Sequence, residues 1–551
     1  MKGKAAALSV EDKQRLYYKS GGTAMNGSVR KKLGAACIGL SILGLLLGGC
    51  GSSPSSSAAA EKPEISIAMN AEPETYDLTK TTATVAKEMM LGNVFEMLVS
   101  FDENYQAQPE LAEKIDVSPD YRVYTYHLRK GVMFHNGQEM KADDVAASMN
   151  RWIDSNGMAK MGTGGARFTK VDDYTVQISM EKPMMTLNDM IAGLRPVAII
   201  VPKSVIDKAD PKTGMISEYI GTGPYMVDKL VQNSYLQLKK FDQYKPYGEK
   251  GKSSGWVGYK EAKTPVIIYH FVTDSSTRVA GMQSGTYDLA IQMPFDDYDQ
   301  FNGKSDYQIF KENQGEIGIT YNKKKGIAAD RLIRQAVNTA LNRDDIMKAS
   351  YVKPDFYKIT PSFITEEHNF WYTEAGKEVY NQSDPARAKA LLQQAGYDGT
   401  PFRLLVSSQY QEFYNAAIVV QKELEDIGMN VQLDTVDWAT YLTKAKDPNA
   451  YDAFITGFAT WPVPNTILYL SPTWNGWSDD KQLQDMMDSI SHSTDKKAAK
   501  AEWEKLQMYA WSDYVPESKL GNRYIYDVAS SKVKDMEFFE GPHMWNMTVS
   551  E

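Results

Sequence analysis

Cysteine is nearly missing from this chain: there are two among 551 residues, Cys37 and Cys50, and none beyond position 50. A disulfide framework downstream of that point is excluded, so the folded part must rest on a large core. Histidine is also thin, at positions 127, 135, 270, 368, 492 and 543, with no H-E-x-x-H or comparable ligand spacing. That pattern argues against a metal centre built from imidazoles, and no cofactor is expected. Arginine disappears altogether between Arg403 and Arg523. Long apolar runs are absent too, with one exception at Leu33 to Cys50. What remains is 42% hydrophobic and 24% charged, the composition of a globular chain long enough for two or three domains.

The exceptional run, "LGAACIGLSILGLLLGGC", follows the basic cluster Arg30-Lys31-Lys32. Its apolar core is shorter than the roughly twenty residues of a spanning helix and reads as a secretory signal. It ends in Leu47-Gly48-Gly49-Cys50, which resembles a bacterial lipobox, in which the cysteine is diacylated and becomes the first mature residue. Residues 1–49 are thus expected to be a signal peptide. Residues 1–24 read as an over-extended start, with Met25 a normal signal length before Cys50. Cys50 with the Ser-, Ala- and Pro-rich stretch to residue 63 reads as a lipidated tether to the bilayer. Removing residues 1–49 takes eight basic and two acidic residues from totals of 61 and 70, leaving 53 against 68, a net charge of −15. So acidic a body is a poor partner for nucleic acid.

Folding is expected to begin at the alternating strand "EISIAMN", Glu64 to Asn70. The first half is rich in extended segments, among them "YRVYTYHL", "DYTVQISM", "VAIIVP", "SYLQLKKF" and "PVIIYHFV", with a clear helix opening at "KADDVAASMNRW". The second half alternates. The helix "DPARAKALLQQAG" has Asp384 as its N-cap, Pro385 in its first turn and Gly396 beyond its end. After it come the strand "FRLLVSS", the helix "YNAAIVVQKELEDIG", the strand "MNVQLDTV", the helix "WATYLTKAK" and the strand "YDAFITGF". That order predicts an α/β fold with helices packed over a sheet, and the change of character near residue 320 predicts two lobes with a cleft between them.

Catalytic patterns fail on context. "GKSSG", Gly251 to Gly255, matches G-x-S-x-G around Ser253, but its flanks are loop-like where a nucleophile elbow needs a strand and a helix. Pro246 stands where a P-loop needs its first glycine, and "GTGGA", Gly162 to Ala166, lacks the lysine. A secreted serine hydrolase using Ser253 remains the rival of a different class, and a peptide-binding chaperone or signalling receptor is a second. The expectation is that the chain is not an enzyme.

One run is specific: "YTYHLRKGVMFHNGQEMKADDVAASMNRW", Tyr124 to Trp152. It resembles the signature of the family 5 extracellular solute-binding proteins, the dipeptide-, oligopeptide- and nickel-binding components of ABC importers. Further pieces stand in family order: "GTGPY" from Gly221, "GMQSGTYDLAI" from Gly281, "YNKKKGIAADRLIRQAVNTALNRDDI", "DPARAKALLQQAGY" and "YDAFITGF". The resemblance implies a two-lobed periplasmic-binding-protein-like fold of the large, three-subdomain type II variety. It places 64–100, 197–318 and 519–551 in the core of lobe I, 101–196 in an inserted subdomain, and 319–518 in lobe II. It also implies a monomeric, lipid-anchored receptor on the extracytoplasmic face, handing its solute to an ABC permease and its ATPase subunits.

In peptide-binding relatives the strand ending in "GF" or "GW" is followed, four residues after the glycine, by an aspartate that pairs with the peptide's α-ammonium. Counting from Gly457, this chain has Trp461 there. Dipeptide binders also use an arginine in the loop after the "RLLVSS"-type strand to pair the carboxylate, and here "SSQYQEFYN", Ser407 to Asn415, has none. A half-made buried charge pair costs several kcal/mol, so free dipeptides are expected to bind poorly. Trp461 with Tyr410, Phe413, Tyr414 and Phe458 is expected instead to form an aromatic wall, stacking planar groups or cations at roughly 0.5–2 kcal/mol per contact. Glu412 is a candidate partner for a cationic ligand. The expected ligand is a peptide or peptide-like solute, with a metal chelate or an opine-like or cationic compound as the alternative.

Overall fold

The computed structural model describes residues 60–368 and 370–551. The signal-like run, Cys37, Cys50 and most of the tether lie outside the described residues. Among those described, no helix is long and apolar enough to cross a membrane.

The architecture hangs on two long strands, Tyr307–Tyr321 and Glu517–Ser530, which pair antiparallel through the middle of an eleven-stranded mixed sheet. On one side lie Ala453–Phe458, Phe402–Ser407 and Val431–Val436. On the other lie Leu289–Ala290, Glu64–Met69, Val266–Phe271, Tyr235–Lys240 and Tyr225–Val231. Each long strand joins its partner to one side of the sheet. Residues 316–321 pair with Ala453–Phe458, whereas Val528 and Ala529 pair with Leu289–Ala290. The register of the long pair breaks between Asn313 and Glu316, and again between Ile317 and Gly318 within the part that pairs with Ala453–Phe458. Gly315 sits in the break with φ +85°, and a Cβ there would overlap the Phe458 carbonyl. Only glycine fits such a position.

Helices cover the first set of strands because their apolar residues recur at helical spacing. Gln411–Asp426 buries Phe413, Ala416, Ala417, Val420 and Leu424, and Arg331–Ala340 buries Ile333, Ala336, Val337 and Ala340. Carboxylate caps start these segments. Asp330, Asp384, Asp437, Asp480 and Asp495 each accept a backbone N–H of the first turn. A second sheet runs in the order Ala112–Val117, Val123–Leu128, Thr175–Ser179, Phe168–Asp172, and Ala142–Ser155 lays Val145, Met149, Trp152 and Ile153 over it. The apolar stretch Val197–Pro202 forms only isolated bridges, through Val197 and Ile199, in place of the expected strand. Gly221 and Gly223 are required by closeness, since a Cβ at either would overlap the carbonyls of Val94 and Asn93.

Candidate functional site

The register break is also where a cavity opens. It has a volume of about 500 Å³ and is lined from both sides of the molecule, by Phe101, Tyr105 and the 155–158 and 190–196 segments opposite Trp438, Tyr441 and the 454–475 segment. His368 and Glu540 complete the wall. The loop after Ala453–Phe458 supplies most of the aromatic surface. Phe458 lies 5.5 Å from each of Trp461, Tyr469 and Trp474, ring centre to ring centre.

Trp461 both lines the cavity and anchors its floor. The residue is 8% exposed, and its Nε1 donates to Glu316 Oε1 at 3.0 Å. Glu316 is buried in the broken part of the long strand and is paired by Lys519, itself fully buried, at 3.1 Å. Of the other expected wall residues, Phe458 lines the cavity, while Tyr410, Glu412, Phe413 and Tyr414 are not among its lining. Tyr410 stacks on Phe413 at 5.1 Å and meets Trp438, a lining residue, edge-on at 5.0 Å. Glu412 and Tyr414 are half-buried on the same helix.

The charged groups come from segments far apart in the chain. Lys87 and Glu88 sit on the short helix Thr84–Met90, Arg195 on the 190–196 segment, Glu312 and Arg523 on the long strands, and Glu540 near the C-terminus. Lys87 lies 3.5 Å from Glu540 and 3.7 Å from Glu312, and the Tyr105 hydroxyl donates to Glu540 at 2.8 Å. Burial works to raise the Glu540 carboxyl, but Lys87 and Tyr105 outweigh it and leave it below its ordinary range. Burial lifts Glu312 to about 7 against the pull of Lys87. It also pushes Glu88 well above the carboxylate range, helped by Glu312 and Asp527. His368 is pulled down to about 4 by burial and is neutral near pH 7. Arg195 donates from Nη2 to Thr84 Oγ1 at 2.8 Å, and the adjacent Pro196 carbonyl accepts the Trp152 indole N–H at 3.1 Å.

None of these charges was among the expected site residues. A signal existed for two of them: Lys87 and Glu88 interrupt the otherwise apolar run from Val85 to Leu91, where charges need a partner or a purpose. The histidines form no cluster, and among the described residues no group of His, Cys, Asp and Glu is arranged to hold a metal ion.

Ser253 lies elsewhere. It belongs to a two-residue hairpin strand, Ser253–Ser254 paired with Val257–Gly258, with no helix behind it. Its hydroxyl donates to Glu537, and His543 approaches that same carboxylate at 3.9 Å. The serine is thus hydrogen-bonded to a carboxylate and not to the imidazole that a Ser–His pair needs.

Residues 106–480 match the bacterial extracellular solute-binding proteins, family 5 Middle. The chain is 26% identical over 506 residues to a probable peptide ABC transporter periplasmic-binding protein of Sinorhizobium fredii, covering 86% of this chain and 91% of that one. It is 27% identical over 451 residues to a dipeptide-binding protein of Escherichia coli, covering 76% and 78% respectively. Among solved structures, the binding protein AgaA of A. tumefaciens R10, in complex with agropinic acid, superposes with a TM-score of 0.74 at 23% identity, covering 89% of this chain and 99% of that one. The fold is therefore the two-lobed periplasmic-binding-protein fold. With two thirds of its length matched and a cavity walled from both sides of the central strands, the chain belongs to the family 5 bacterial extracellular solute-binding proteins.

Proposed function

We propose that this chain is the substrate-binding lipoprotein of an ABC importer, capturing a peptide or peptide-like solute in the cavity beside Trp461 and delivering it to a permease. Cys50 carries the lipid that holds the monomer on the extracytoplasmic face, and the protein breaks no covalent bond of its ligand. The two lobes, with 319–518 as the second, rotate about the long strands at their register break and close over the solute. A ligand favours that closed state only through contacts better made there. Trp461 and Phe458 form the stacking wall, with Phe413 and Tyr410 behind it and Glu412 and Tyr414 on the same helix.

The observation that carries this reading is the cavity itself. It is large enough for a small solute, largely apolar and aromatic, with a few convergent polar groups. Native mass spectrometry of the soluble body is expected to find a small molecule bound in a one-to-one complex. Thermal-shift screening with blocked and free peptides is expected to raise the melting temperature with the blocked ones. No bound species, and no shift across a broad peptide library, would refute it. An opine-like or metal-chelate ligand is the second reading, favoured by Arg195, a lining guanidinium with no carboxylate within 4.0 Å among the described residues. Labelling of Ser253 by a fluorophosphonate would favour the hydrolase instead.

A further inference from the structure

The sequence interval without arginine suggested a site with no guanidinium, but the fold returns one to it. Arg523 lies on the strand Glu517–Ser530, and its side chain packs onto Gly457, a lining residue. A Cβ at position 457 would come within 2.9 Å of the Arg523 Nε and 2.8 Å of the Phe413 ring. The glycine is there because the guanidinium and the ring occupy the space. The Arg523 Nε is buried without a hydrogen-bond partner, and the guanidinium carbon stands 6.0 Å from the Phe413 ring centre. Among the described residues, neither Arg523 nor Arg195 has a carboxylate within 4.0 Å, and the two are close enough for their charges to oppose each other. The one carboxylate lining the cavity, Glu540, is already balanced by Lys87.

Two guanidiniums without a salt-bridging carboxylate, Arg195 in the cavity wall and Arg523 behind Gly457, are partly withdrawn from water; Glu540, Glu312 and Glu88 act on Arg195 only through space, and an anion bound between the two arginines would relieve the rest of the cost. Arginine's planar fork suits carboxylates in particular. From this geometry we infer that Arg195 and Arg523 form a clamp for a solute bearing two carboxylate groups, with Arg523 as the residue that selects for the second. The inference rests on the receptor reading above and fixes the charge of its ligand. It reverses the sign of the cationic ligand that the aromatic wall suggested.

The test uses three N-blocked dipeptides that carry two, one or no carboxylates, titrated calorimetrically into the full soluble body at low ionic strength. They are N-acetyl-Asp-Phe with two carboxylates, N-acetyl-Asn-Phe with one, and N-acetyl-Lys-Phe amide with a cation and none. The acetyl group removes the ammonium, for which Trp461 offers no partner. The Asp probe is expected to bind at least tenfold tighter than its Asn counterpart, and the Lys probe weakest. Arg523→Gln should bring the Asp-to-Asn ratio close to one, and Arg523→Lys should restore part of it. An unchanged melting temperature of the empty Arg523→Gln protein would show that the loss is not one of folding. A wild-type ratio near one, a preference for the Lys probe, or a ratio that survives Arg523→Gln would overturn the clamp. Binding of any probe sustains the receptor reading in each of those cases. Failure of all three, alongside a bound ligand in native mass spectrometry, would overturn the clamp alone.

Discussion

Replacing Trp461 by phenylalanine isolates the indole's hydrogen bond to the central strand. The ring survives, and with it most of the packing against Phe458 and Tyr469, at 5.5 and 6.2 Å. What is lost is the indole donor to Glu316, a hydrogen bond to a carboxylate of a residue only 2% exposed. Hydrogen bonds to charged groups contribute about 1.5–3 kcal/mol, and water has little access here to replace this one. In a body of this size that corresponds to a fall in melting temperature of about 1–3 °C. Lys519 still neutralises Glu316, so the cost should stay near that range and short of the larger penalty of an unpaired buried charge. The assay is a double-mutant cycle on the ligand-free protein with Trp461→Phe, Glu316→Gln and both together. The coupling should be about 1–3 kcal/mol, reduced from the full bond because glutamine keeps an acceptor. A coupling within about 0.3 kcal/mol of zero would show that the indole does not hold the floor of the site, and that Trp461 is a wall residue only.

Glu312 should make stability depend on pH in an unusual direction for a carboxylate. Its value rises from 4.5 to about 7 in the folded protein, so its contribution is complete below about 4.5 and is lost as pH climbs through about 7. The advantage of wild type over Glu312→Gln, followed by chemical denaturation from pH 5 to pH 8, should shrink as pH rises, and an advantage that grows would refute the assignment. Lys260 is buried at 2% exposure between Glu110, to which it is hydrogen-bonded, and Glu96 at 3.5 Å. Lys260→Met strands two buried carboxylates and should cost about 3–5 kcal/mol, partly recovered with Glu110→Gln; a loss under about 1 kcal/mol would mean that the acids are neutral without it. Cys50→Ser should abolish diacylglyceryl transfer, release the protein from the membrane fraction and leave ligand affinity unchanged. A wild-type mature chain whose mass begins anywhere but Cys50 would end the lipoprotein reading.

The elements legible in the sequence were those whose signal is local. Pro385–Gln394 announces itself by cap, proline and glycine, and Gln411–Asp426 by apolar spacing. The two strands that matter most were not fully legible. The stretch "KENQGE" inside Tyr307–Tyr321 reads as a loop, and Glu517, Ser518 and Lys519 precede the part of the second strand that alternates visibly. These polar residues are strand because their partners lie far away in sequence. Glu517 accepts from Thr320 at 2.9 Å, Ser518 shares a hydrogen bond with Tyr321 at 2.7 Å, and Lys519 pairs with Glu316. Buried polar strands carry no periodicity until those partners are known.

The site divides in the same way. Trp461 and Phe458 were reachable by counting from Gly457 because they follow it directly in the chain. Arg523 was not, although it touches Gly457, because the contact depends on which strands are neighbours. Ala453–Phe458 lies beside Tyr307–Tyr321, which in turn lies beside Glu517–Ser530, so position 523 stands two strands from position 457. One hundred and nineteen residues of arginine-free sequence therefore say nothing about the charge of the cavity. What sets that charge is sheet order, and the space left by a missing side chain at Gly457 records the guanidinium that sheet order brings back.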